Sequence, residues 1–102
     1  MLAKITNKSE GIIAIEGELN MQTVSEISKE LPGVMAKAGD GNITLDLAQI
    51  SRSDSAGVAL LVEAMQIAKS KDMSLSFVNL PQQMKDIAGV SGLLDILPLS
   101  GN

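Results

Sequence analysis

Five consecutive polar residues, Ser51-Arg52-Ser53-Asp54-Ser55, are the part of this chain whose side chains could do chemistry. They stand between an apolar alternation and a long apolar helical stretch, so the last of them falls where a helix begins. Asp54 and Ser55 are both good N-cap types, and Gly57 permits close backbone approach in the first turn. A hydroxyl at such a junction lies beside unpaired helical N–H groups and the positive end of the dipole. Ser55 is therefore the chemically distinctive residue, either as a plain N-cap or as a contact and modification point. Other chemistry is poorly served. Asp46 and Asp54 have no further carboxylate near them in sequence, which is too little for a magnesium site. The spacing supplies no lysine to activate Ser55, and the G-x-x-x-x-G-K phosphate loop is missing. The chain has no His, Cys, Trp or Tyr, and Phe77 is its one aromatic residue. The usual general base, the soft metal ligands and most stacking platforms are thus excluded, and no cofactor is expected. A binding or regulatory module is favoured over an enzyme.

The elements that must position this turn can be read on either side. Ile43, Leu45 and Leu47 alternate with Thr44 and Asp46, as in a strand. After the polar turn a helix is expected from residue 55 to about Ser70. On it Val58, Leu61, Val62 and Met65 form a stripe that should face the sheet. Leu60 and Ile67 fall roughly opposite that stripe, with Glu63 and Gln66 between the two faces, and Lys69 and Lys71 suit the negative end of the dipole. Two readings of Leu60 and Ile67 stand: a neighbouring element covers them, or with Ser55 they form a docking face, where burial would contribute roughly 1.5–3 kcal/mol each.

Upstream, residues 2–6 and 11–16 read as strands around the turn Asn7-Lys8-Ser9-Glu10-Gly11, the second apolar enough for burial on both faces. Residues 17–20 read as a loop, and Thr23 and Glu26 as the capping box of a helix. Val24, Ile27 and Leu31, then Val34, Met35 and Ala38, keep helical spacing, but Pro32-Gly33 predicts a kink or two short helices. A turn over 39–42 leads to the central strand. Downstream, residues 74–79 alternate as a strand, and Pro81 opens a helix with Met84, Ile87 and Ala88 buried and Gly89 as its stop. An apolar segment over 90–99 closes the chain. The order β-β-α-β-α-β-α predicts one α/β domain over residues 1–102, a mixed sheet with helices packed on it.

Composition agrees with a single globular domain: 102 residues, 45% hydrophobic and 20% charged. The net charge of −4, with no basic cluster, argues against nucleic acid as a partner. No apolar run is long enough for a membrane span, the N-terminus lacks the apolar core of a signal peptide, and cysteine is absent. A cytoplasmic domain without direct membrane insertion is the expectation.

The segment D-L-A-Q-I-S-R-S-D-S-A-G over 46–57, followed by V-A-L-L, resembles the signature of STAS domains. G-E-L-N at 17–20 is similar to that family's G-E-L-D loop, with Asn20 in place of the usual Asp, and V-S-G-L at 90–93 is similar to its late helix and loop. The family includes the anti-sigma-factor antagonists and the cytoplasmic domains of sulfate transporters. Ser51-Arg52 before Asp54, the run A-L-L-V…I-A-K-S-K, and D-I-L-P-L near the end resemble most the small STAS proteins of Mla-type phospholipid transporters. That resemblance implies a non-enzymatic subunit, peripheral to the inner membrane, that binds the transporter's ATPase and through it the permease. It would support lipid asymmetry of the outer membrane. The contact would fall on Ser55 together with Arg52, Asp54, Ala56, Gly57, Leu60 and Ile67. The antagonist likeness implies instead a switch set by phosphorylation of Ser55.

Overall fold

The structure is a computed structural model and describes residues 2–39 and 41–100. Asp40, in the turn expected over 39–42, lies outside the described residues, as do Met1, Gly101 and Asn102. The elements run β1 (Lys4–Ser9), β2 (Ile12–Leu19), α1 (Met21–Lys37), β3 (Asn42–Asp46), β4 (Ile50–Ser53), α2 (Ser55–Ser70), β5 (Ser74–Val78) and α3 (Gln82–Val90). The expected mixed α/β domain is what forms. Strands β1, β2, β3 and β5 lie side by side in that order, and β4 pairs with the far end of β2. β1 is antiparallel to β2, whereas β3 and β4 run parallel to β2 and β5 runs parallel to β3.

Alternation along the strands decides which face is covered. Ile13 and Ile15 of β2, Ile43 and Leu45 of β3 and Phe77 of β5 are buried in one cluster with Ile27, Leu31 and Met35 of α1 and Leu60, Leu61 and Ala64 of α2. The opposite face carries polar groups instead. There Lys8 Nζ donates to Asp46 Oδ2 at 3.0 Å, and the hydroxyls of Thr44 and Ser76 lie 3.4 Å apart. The expectation that β2 is buried on both faces fails for this reason: Ile12 and Glu16, on the polar face, stay accessible while Ala14 between them is covered.

Several boundaries differ from the sequence reading; β1, expected over 2–6, runs from Lys4 through Ser9 and takes in residues expected in the turn. β2 continues through Gly17-Glu18-Leu19, read as loop, because those residues pair with β4. β4 itself was expected as the polar turn; its two ends, Ile50 and Ser53, are buried while Ser51 and Arg52 face solvent. α1 starts earlier than the Thr23–Glu26 pattern implied. Asn20 is the N-cap, its side chain accepting from Gln22 N and Thr23 N at 3.0 Å each, while Thr23 Oγ1 accepts from Asn20 N at 3.0 Å. α1 also runs unbroken through Pro32. An interior proline costs about 3 kcal/mol, but Ile27, Leu31 and Met35 continue in phase across it and are all buried. That packing outweighs the lost hydrogen bond.

After α3 the chain returns along β5: Phe77 N donates to Pro98 O and Ser100 N to Phe77 O, both at 2.9 Å. This covers the edge that β5 would otherwise expose.

Candidate functional site at the head of the second helix

Ser53 ends β4, Asp54 is the N-cap and Ser55 is the first residue of α2. Asp54 has extended backbone, φ −103° and ψ −165°, and its Oδ1 accepts from Ala56 N at 2.8 Å. Asp54 N donates to Leu19 O at 3.1 Å, which docks the turn onto the end of β2. Of the two cap candidates Asp54 therefore does the capping. Ser55 is left exposed on the outer surface of the first turn. Arg52 is exposed beside it, Ala56 is half-buried and Gly57 is buried.

Gly57 is required by contact. A Cβ there would run into Ser53 Oγ and would meet Leu19 Cβ and Cδ1 at 3.1 Å. Ser53 is 4% exposed, and its Oγ donates to Asp54 O at 3.0 Å. Its backbone N–H donates to Gln83 Oε1 of α3 at 2.8 Å. Gln83 was not legible as part of the site, because its tie to Ser53 spans thirty residues.

One expected contact residue is corrected. Leu60 is 1% exposed and lies in the core, so it has no surface to offer a partner. Ile67 is half-buried and packs against that core. Leu60, Glu63 and Ile67 share one side of α2, and Glu63 Oε1 accepts from Ser28 Oγ of α1 at 2.8 Å. That side faces α1, the neighbouring element of the plainer reading. The stripe expected to face the sheet is also rotated: Val58 and Leu61 are buried, but Val62 and Met65 are half-buried, and Ala64 and Ala68 are buried in their place.

The surface that α2 does present is a groove of about 680 Å³ running down from Ser55. Val58, Ala59, Val62, Glu63 and Gln66 of α2 form its floor and one side, and Ile87, Ser91 and Leu93 form the other wall. Ser55, Ala59 and Gln66 are exposed within it. Asp46 and Asp54 are committed elsewhere. Asp46 accepts from Asn79 Nδ2, Ala48 N and Lys8 Nζ, each at 3.0 Å, and those bonds, the Asn79 one foremost, hold its carboxyl down at about 2. Among the described residues no group of three or more His, Cys, Asp or Glu is placed to hold a metal ion. No helix among them is long and apolar enough to cross a membrane.

Curated relatives include an anti-sigma-B factor antagonist of Staphylococcus epidermidis, 26% identical over 85 residues, 83% of this chain and 78% of that protein. An anti-sigma factor antagonist from Mycobacterium paratuberculosis has a similar structure, with TM-score 0.72 at 19% identity over 98% of this chain and 85% of that one. Unphosphorylated SpoIIAA, an anti-sigma factor antagonist, matches with TM-score 0.71 at 18% identity, over 98% of this chain and 89% of that one. The phosphorylated form of SpoIIAA from Bacillus matches at 0.67 and 19% identity, over 98% and 92%. A family model described as "Mlab, STAS domain" matches residues 3–98, and with nearly the whole chain so covered the protein belongs to the STAS domain family.

Proposed function

We propose that the chain is a non-enzymatic docking protein that engages its partner through the Ser55 turn and the groove below it, and that the partner is an anti-sigma factor. The observation that carries the docking site is the exposed Ser55 hydroxyl at the head of a groove walled by two helices. The partner class is supported by the names of the curated relatives, which favour the antagonist reading over the transporter one. Asp54 caps the helix, so Ser55 is free to change its chemistry without loss of the cap. A phosphate on Ser55 adds about −1.5 to −2 charge at neutral pH. At a helix N-terminus the fold tolerates that charge, and an apolar or acidic partner surface does not.

A second reading, a subunit of an Mla-type phospholipid ABC transporter in the cytoplasm, is supported by the description of the matching family model. It uses the same face with an ATPase as partner. One experiment tests both: affinity capture with the tagged chain from its native cell, compared with Ser55→Glu and Ala59→Asp. An anti-sigma factor retained by the parent and lost by both variants supports the first reading. An ATPase with its permease, lost in the same way, replaces it with the second. Any partner retained equally by all three chains refutes docking at this face.

A further inference from the structure

We propose that Gln83 is a positioning residue for the Ser55 turn, so that the helix walling the groove also sets how Ser55 is presented. The inference rests on the docking reading of that turn. Ser53 pairs with Leu19 of β2, and its successor Asp54 directs its N–H to Leu19 O. Successive N–H groups along a strand point to opposite sides, so the Ser53 N–H points to the free edge of β4. Among the described residues no strand meets it there; the Gln83 carboxamide does, at 2.8 Å. Ser53 then passes the constraint on in two ways. Its Oγ donates to Asp54 O, and the same Oγ occupies the space that a Cβ on Gly57 would need in the first turn of α2.

Gln83 and Ile87 of α3 and Ser91, the residue that caps its end, recur at four-residue spacing and share one side. Ile87 and Ser91 line the groove, and Gln83 holds the turn. The groove wall and the group that holds the Ser53 joint therefore belong to one helix. Gln83 is itself exposed, and a small polar hollow lies beside it, bounded by Glu18, Asn20, Arg52 and Asp54. Water can reach the joint if the carboxamide is removed, so the fold survives the substitution.

Amide hydrogen exchange by NMR on the full chain tests this without any partner. Gln83→Met keeps the length and removes the acceptor, and Gln83→Glu restores an acceptor at neutral pH. Expected for Gln83→Met are about five- to tenfold faster exchange at Ser53 and displaced amide resonances from Ser53 to Gly57, with the core amide of Leu45 unchanged. Gln83→Glu returns Ser53 to within about twofold of the parent. Unchanged exchange at Ser53 in Gln83→Met overturns the proposal. So does parallel acceleration at Leu45, or a Gln83→Glu variant no better protected than Gln83→Met. Because the measurement uses the isolated chain, its failure is distinct from failure of the docking reading, which capture by Ala59→Asp decides.

Discussion

Replacing Leu60 by Ala removes a side chain that is 1% exposed and wedged among the residues joining α2 to α1 and the sheet. The change costs the transfer of the lost carbons plus the cavity left behind, about 2–5 kcal/mol for a fully buried leucine. Alanine's better helix propensity returns only a few tenths of that. A domain of this size holds roughly 5–15 kcal/mol in total, so the loss lowers the melting temperature by at least about 8 °C. Leu60→Asp places a charge in the same site and unfolds the chain. The neighbouring Ala59 is exposed in the groove, and Ala59→Asp, a poorer helix former four residues from Glu63, is expected to stay within about 1 kcal/mol of the parent while abolishing capture of the partner. Circular dichroism melts and urea titrations of Leu60→Ala and Ala59→Asp, with an unchanged denaturant slope, read the difference directly. A Leu60→Ala midpoint equal to the parent's, or Ala59→Asp as unstable as Leu60→Ala, refutes the assignment of faces on α2.

The cap and the hydroxyl separate cleanly: Asp54→Ala costs about 1 kcal/mol of stability, whereas Ser55→Ala costs less than about 0.5 kcal/mol, both read from urea midpoints. Gly57→Ala forces a methyl onto Ser53 Oγ and against Leu19; the expected loss is about 1–3 kcal/mol, and Ser53→Ala in the same chain recovers part of it by removing the obstructing oxygen. Asp46, whose folded pKa is depressed from 3.8 to about 2, contributes stability that is fully present above about pH 4 and is lost as pH falls through about 2. Asp46→Asn flattens the stability curve over that window in urea melts measured from pH 5 downward.

Local sequence by itself determined the α/β class and the span of α2, since Ile43, Leu45 and Leu47 alternate and an N-cap pair stands before an apolar run. Those signals are short-range, carried by neighbours within four residues. The tertiary structure alone decided which side of α2 meets solvent. Nearly every side of that helix carries an apolar residue, so periodicity leaves its rotation open, and the position of α1 buries Leu60 and leaves Ala59 and Val62 in the groove. β4 belongs to the same class: Ile50 to Ser53 has no strand-like alternation and becomes a strand only because Gly17 to Leu19 lie alongside. Gln83 closes the same edge from thirty residues away. Pairings of that separation are fixed by packing that forms only when the chain is folded, and no local residue pattern encodes them.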